Sequence, residues 1–351
     1  MELQSILTQI LETGGSDVFI IPGSPIMCKV KGRLVSISDK PQYPADTERL
    51  LREAYEMVNR PIEPLIMGGD DDFSFSLMRL GRFRCNAYRQ RGSLAAILRT
   101  VTIGLPDPKA MSIPDVVIDL YNQHNGMILV TGAAGSGKST TLACILDRIN
   151  MERDGHIITI EDPIEYLHPH KQCVVSQREI KTDTGSFAGA LRAALRQAPD
   201  VILVGEMRDY ETTQTAITAA ETGHLLMSSL HTVGAAKTVD RIIDTYPANQ
   251  QAQVRAQLSM VLRAVVSQQL IPTVDGGLTP AFEVMIVTSA IQSMIRDGKT
   301  HQIDNVIYSS ASQGMIEMDS ELLRLFKAGI INRENALLYA TNPDTLNRKL
   351  G

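Results

Sequence analysis

Apolar residues at positions 3, 6, 7, 10 and 11 recur at helical spacing and predict an amphipathic helix over 3–11. The segments that follow change period. Runs at 18–21, 28–30, 33–37 and 72–76 have the residue types of strands, with turn signals at Gly23, Pro25 and Gly32 between them. Two further strands are predicted over 82–90 and 94–100, joined by a turn at Arg91, Gly92 and Ser93. One helix-rich stretch over 46–59 interrupts this pattern, so the first hundred residues predict a small α+β domain. Pro106, Pro108 and Pro114 then mark a linker.

After Gly126 the texture changes. Residues 127–130, 157–160 and 201–204 are short, nearly all-apolar runs separated by helical segments, with 225–229 as a fourth. Strands buried on both faces of a parallel sheet have this pattern. From about Asn249 the spacing reads as helical, over 250–269, 289–297, 320–327 and 333–341. The expected layout is a small domain over 1–105, a linker over 106–125, and a larger domain over 126–351 with a helical region from about 285.

Composition narrows the class. The 351 residues are 44% hydrophobic, which argues against disorder and for two domains with cores of their own. With 34 basic and 39 acidic residues the formal charge is −5, which argues against a dedicated nucleic-acid binder. No apolar run approaches the ~20 residues of a membrane span. The opening segment has no basic residue before its apolar positions, so it does not read as a secretory leader. Cys28, Cys85, Cys144 and Cys173 form no close pair and read as buried, reduced side chains. The 15 methionines are scattered and read as core filler. A soluble cytoplasmic protein is expected.

The chemistry is concentrated in the second domain. Gly132, Ala133, Ala134, Gly135, Ser136, Gly137, Lys138 and Ser139 match GxxxxGK[ST], after a predicted strand and before a helical run that starts at Thr140. In such a loop backbone N–H groups cradle the phosphates, the lysine reaches the β- and γ-oxygens, and the serine hydroxyl ligates Mg²⁺. ATP or GTP is therefore the expected ligand. Hydrolysis needs a further carboxylate, and two apolar runs end in acids. Residues 157–160 lead to Glu161, Asp162 and Glu165, while 201–204 ends in Gly205 and Glu206, a Walker B-like arrangement with Glu for the usual Asp. His224 and His231 flank the 225–229 run, where a neutral imidazole can sense a γ-phosphate by donating a hydrogen bond.

Four segments, 132–140, 159–168, 192–209 and 219–232, resemble in order the Walker A, Asp box, Walker B and His box of the type II and type IV pilus secretion ATPases. The resemblance spans the whole chain and is nearest to the PilT-type retraction (twitching motility) ATPases. The segment 81–100 is similar to theirs, and neither the extra N-terminal domain nor the four-cysteine zinc element of the assembly motors is expected. It implies a RecA-like α/β P-loop core with a helical C-terminal part behind a small α+β, PAS-like domain. By position, it implies that Lys138 and Ser139 hold phosphate and Mg²⁺ and that Glu165 polarises the attacking water. Glu206 acts on Mg²⁺ directly or through water, and His231 is the sensor. Arg82, Arg84 and Arg99 are candidates to reach a neighbouring subunit's nucleotide. Arg192, Arg196 and Arg208 are further cations near the sheet edge.

The same resemblance implies a homohexameric Mg-ATP motor. It would drive pilin disassembly through an inner-membrane platform protein, with a second pilus ATPase as a further partner and no direct nucleic-acid contact. The protein would be peripheral at the inner face of the membrane through that partner. The 290–297 helix departs from the family's AIRNLIRE pattern: Ala290, Ile291, Ile295 and Arg296 match, whereas Gln292, Ser293, Met294 and Asp297 do not. This keeps an accessory PilU-like or assembly-type ATPase open, along with a non-hydrolysing ring subunit.

Overall fold

Among the described residues the strands form two sheets, the first packed on one apolar core and the second between two. The computed structural model describes residues 2–30, 32–77, 80–101 and 104–351. They divide into a first unit, Met1–Gly104 with Glu165–Leu167, and a second, Leu105–Ile164 with His168–Gly351.

In the first unit α1 (Leu3–Thr13) buries Leu3, Ile6, Leu7 and Ile10, the stripe its spacing predicts, and ends at the left-handed Gly14. Six antiparallel strands follow: β1 (Gly15–Ile20), β2 (Met27–Val30), β3 (Arg33–Ser36), β4 (Asp70–Leu77), β5 (Gly81–Gln90) and β6 (Ser93–Val101). They lie in the order β3-β2-β1-β6-β5-β4. Helices α2 (Pro44–Met57) and α3 (Glu63–Gly68) separate β3 from β4. Arg91 and Gly92 both have positive φ, the geometry that closes a two-residue hairpin between β5 and β6. Strand alternation then sends Phe83, Cys85 and Ala87 into the core and Arg82 and Arg84 to the opposite face.

The second unit opens with α4 (Asp115–Ile118) and a 3-10 turn (Asp119–Asn122), within the residues expected as linker. Val117 and Leu120 of this segment are buried in the second unit's core. The sheet is built from β7 (Gly126–Thr131), β8 (Gly155–Glu161), β9 (Cys173–Glu179), β10 (Val201–Val204), β11 (Leu225–Leu230), β12 (Leu262–Pro272) and β13 (Leu278–Ile286). Their order is β13-β12-β7-β11-β10-β8-β9, parallel except for the β12–β13 pair. Along β7, Met127 and Leu129 face one core cluster while Ile128 and Val130 face the other, so the apolar run is explained by burial on both sides. Between the strands lie α5 (Lys138–Glu152), α6 (Phe187–Ala194), α7 (Tyr210–Glu221), α8 (Ala235–Asp244) and α9 (Gln251–Val261). The chain ends in α10 (Ser289–Arg296), α11 (Ile303–Ser309), α12 (Met318–Lys327), α13 (Arg333–Leu338) and α14 (Pro343–Leu350).

One expectation is corrected. The span 250–269, read as a single helix, is helical only through Val261; β12 takes over at Leu262 and runs to Pro272 between β7 and β13. A strand buried on both faces has no alternation to betray it, and its apolar run continued the helical pattern upstream. All four cysteines are buried and unpaired with one another. Among the described residues no helix is long and apolar enough to cross a membrane.

Candidate functional site

The parallel sheet brings its strand ends to one edge, and the chemistry lies there. Thr131 of β7 pairs with Leu230 of β11, Ser228 of β11 with Val204 of β10, and Val204 with Ile160 of β8. The P-loop, His231, Glu206 and Glu161 therefore leave the sheet side by side at its C-terminal edge, where open α/β sheets bind ligands. His224 immediately precedes β11 and lies at the opposite edge, about 20 Å away at strand rise. Its Nδ1 is 3.0 Å from the Ala219 carbonyl and 3.1 Å from Thr222 Oγ1, so it closes the end of α7.

The loop after β7 has the curvature its glycines permit. Gly132, Gly135 and Gly137 all have positive φ. At Gly132 a Cβ would come within 2.2 Å of the Gln268 carbonyl oxygen, and at Gly137 within 2.8 Å of Gln268 Nε2. At Gly132 a side chain would have to displace the β12 backbone, whereas at Gly137 it would have to displace the Gln268 side chain. The Lys138 ammonium donates to the carbonyls of Gly132 at 3.0 Å and Ala133 at 2.8 Å, which holds it inside the loop. Ser139, in the first turn of α5, is exposed. Ser136 Oγ is buried and has no hydrogen-bond partner among the described residues. A hydroxyl left unsatisfied inside a glycine cradle, beside an ammonium and a helix N-terminus, fits an oxyanion such as a nucleotide phosphate.

Next to the loop stands a charged cluster. Glu206 Oε2 accepts from Arg208 Nε at 2.6 Å and from His231 Nε2 at 3.2 Å. Glu206 is 14% exposed at its side chain, whereas Arg208 is 72% exposed, so the carboxylate sits at the base and the guanidinium at the mouth. Small polar residues hold these loops in register. Ser228 Oγ donates to the Val204 carbonyl at 2.7 Å, Ser229 Oγ to the Gly205 carbonyl at 2.6 Å, and Met207 N–H to the Ser229 carbonyl at 3.2 Å. A threonine chain continues to the P-loop strand: Thr232 Oγ1 is 2.7 Å from Thr238 Oγ1, which is 3.5 Å from Thr131 Oγ1. Glu161 accepts from Thr159 Oγ1 at 2.6 Å and Gln177 Nε2 at 3.2 Å.

Lys138, Ser139, Glu206 and His231 thus lie along the same sheet edge of the second unit, Glu206 and His231 in contact. Glu165, Arg82, Arg84 and Arg99 belong to the first. Glu165 is exposed. Arg84 Nε is 3.5 Å from Asp72 Oδ1, Arg99 Nε donates to Asp17 Oδ1 at 2.7 Å, and Arg82 Nη1 is 3.3 Å from Ser76 Oγ. Arg192 pairs with Glu211 at 2.6 Å, and Arg196 donates to the Arg192 carbonyl at 3.2 Å.

Residues 103–279 match the family model described as "Type II/IV secretion system protein". Over 348 residues, 98% of this chain and 99% of the other, the chain is 41% identical to the type IV pilus retraction ATPase PilT of Pseudomonas aeruginosa. The chain belongs to the type II/IV secretion ATPase family. A second relative in the same organism, the type IV pilus ATPase PilU, is 39% identical over 99% of this chain and 90% of its own length. The crystal structure of the pilus retraction motor PilT with bound ADP superposes with a TM-score of 0.90 at 44% identity, covering 99% of both chains.

As a family member the chain is a nucleotide-binding ATPase with a mixed α/β, RecA-like core. Sequence reading found the loop and the acids but missed Thr141, Ser228, Ser229, Thr238 and Gln268, which hold them. Gln268 lies in the span read as helix, between Ser267 and Gln269, where nothing in the sequence singles it out.

Proposed function

We propose that the chain is the ATP-hydrolysing motor of type IV pilus retraction, working as a ring of six copies. The full-length similarity to PilT, at 41% identity over 98% of the chain, carries this reading. Lys138 and the backbone of 132–137 bind the triphosphate, and Ser139 and Glu206 hold Mg²⁺, whose role is to neutralise charge on the phosphate oxygens. Glu165 orients the attacking water, and His231 reports the γ-phosphate to Glu206 through the hydrogen bond they share. Arg82, Arg84 and Arg99 supply donors to a neighbouring subunit's nucleotide, where a planar guanidinium suits the transferring phosphoryl group. The ring does its work on an inner-membrane platform protein and sits at the inner face of the membrane through it.

A second reading is an accessory, PilU-like ATPase that acts beside a principal motor. The 39% identity to PilU over 99% of the chain favours it, as does α10. There Ile291 and Ile295 are buried while Gln292 and Ser293 replace the family's polar residues, so the helix packs but presents a different face.

Expression in a Pseudomonas aeruginosa strain lacking PilT separates the two. Restored twitching supports the retraction motor. Twitching that returns only when a hydrolysis-deficient PilT is also present supports the accessory role. A Glu206→Gln variant that still restores twitching overturns both.

A further inference from the structure

The strand hidden in the helical pattern carries a buried amide into the nucleotide site. β12 pairs with β7 as far as Ser267 opposite Thr131, the last residue before the chain leaves the sheet to form the P-loop. The next residue, Gln268, is 4% exposed and follows Ala264, Val265 and Val266, all fully buried. Its Oε1 accepts a 2.7 Å hydrogen bond from Oγ1 of Thr141, a buried residue in the first turn of α5. Its Nε2 lies against Gly137, and its carbonyl oxygen against Gly132. One residue of β12 therefore touches the first glycine of the loop, the last one, and the helix that follows.

An apolar side chain would fill this space at no desolvation cost, whereas a buried amide must be hydrogen-bonded to be tolerated. The amide offers what an apolar group does not: an acceptor that fixes the rotation of α5, and N–H donors beside the loop. We propose that Gln268 is a positioning residue of the nucleotide site, holding the curve of residues 132–137 and the first turn of α5 so that Lys138 and Ser139 meet a nucleoside triphosphate in register. The proposal rests on the reading of residues 132–139 as the phosphate-binding loop.

The test compares Gln268→Leu, Gln268→Glu and Thr141→Val with Lys138→Ala, using steady-state ATP hydrolysis and titration with fluorescent ADP. Gln268→Leu raises KM for ATP and Kd for ADP about tenfold, with kcat within about twofold of wild type. Thr141→Val removes the same contact from the other side, so the double variant binds no worse than Gln268→Leu alone. Thr141→Val also reads out the contact should Gln268→Leu not fold. Gln268→Glu keeps the acceptor for Thr141 but sets a carboxylate beside the loop. It binds more weakly than Gln268→Leu, and because the position is buried the difference changes little with salt.

A residue that only fills the core leaves KM and Kd at wild-type values and lowers the unfolding midpoint. That result in both Gln268 variants, with binding abolished by Lys138→Ala, overturns the proposal and spares the P-loop reading. ADP binding that survives Lys138→Ala overturns the P-loop reading itself.

Discussion

Arg84 of β5 stands directly across from Arg99 of β6, so two guanidinium groups share one face of the first unit's sheet. Like charges in directly opposed positions disfavour pairing. The fold answers each with its own carboxylate, Asp72 for Arg84 and Asp17 for Arg99. Arg82 lies two residues along the same face of β5. Asp72 is 37% exposed and Asp17 only 11%, so the Arg84 pair is of the surface kind that contributes little to stability and the Arg99 pair is not.

Arg84→Gln is accordingly expected to change the unfolding free energy by less than about 1 kcal/mol, whereas Arg99→Gln takes the cation from the buried Asp17 carboxylate and is expected to cost about 1–3 kcal/mol. If these arginines act on a neighbour's nucleotide, at least one of the two substitutions lowers the ATPase rate by more than about tenfold. A mixing experiment identifies the direction of action. Arg84→Gln subunits keep an intact P-loop and Lys138→Ala subunits an intact arginine, so rings assembled from both regain activity if the arginine works across the interface. No regain on mixing assigns the arginine to its own subunit.

Glu206 takes two cationic or donor partners on a single oxygen, which orients its carboxylate with the second oxygen left for other work. Glu206→Gln keeps the shape but not the charge. It is expected to lower kcat about a hundredfold or more while ADP binding stays within about threefold of wild type. His231→Gln retains an amide donor for Glu206 and is expected to lose less activity than His231→Ala. Equal losses in the two would make the imidazole's packing, and not its hydrogen bond, the quantity that matters.

How much of this was legible depended on how each residue does its work. Lys138 and the glycines of its loop were readable because phosphate binding needs that spacing along the chain, and no folding is required to recognise it. Glu206 was readable because an apolar run ended in it. His231 and His224 looked alike from the sequence, at the two ends of one strand. Parallel pairing separates them, because it aligns the ends of β7, β10 and β11 and sends the beginning of β11 to the far side. Gln268 and Ser267 act through contacts more than a hundred and about thirty residues away, with Thr141 and Gly234 respectively. Contacts of that range leave no local spacing to read, and the strand that carries them had been absorbed into a helical pattern.

Gly132 tests the tightness of the cradle from the other side. Its φ of +143 disfavours any side chain, and an added Cβ would lie 2.2 Å from a backbone oxygen of β12. Backbone in a central strand has little room to retreat. Gly132→Ala is expected to cost about 3 kcal/mol of stability and to abolish ADP binding. Gly135→Ala, where φ is +76 but nothing lies within 4 Å, is expected to cost less stability. Thermal unfolding with and without ADP distinguishes them: the nucleotide raises the midpoint of Gly135→Ala more than that of Gly132→Ala.

Glu283 links the far side of the same framework to pH. It lies on β13 opposite Ser267 of β12, is almost fully buried, and accepts a 2.7 Å hydrogen bond from the Ala235 N–H at the start of α8. Ser267 Oγ accepts from Gly234 N–H at 2.9 Å, so this cross-strand pair anchors the loop that begins at His231. The groups facing Glu283 are Lys237 of α8, Asp304 of α11, and Glu317 and Met318 at the start of α12. Burial pushes its carboxyl up to about 7; the Ala235 N–H opposes that, and the charges of Asp304 and Glu317 add to it. A carboxylic acid whose pKa is higher folded than unfolded binds more protons in the native state between those two values. Stability from this group is therefore complete below the unfolded value and is lost as pH rises through about 7. Glu283→Gln keeps an oxygen for Ala235 and removes the titration. Relative to wild type, the variant is expected to gain about 3 kcal/mol of unfolding free energy as pH goes from about 4 to 8. Chemical denaturation at pH 5, 6, 7 and 8 checks the sign, and a difference between the two proteins that stays constant with pH would place the titration elsewhere.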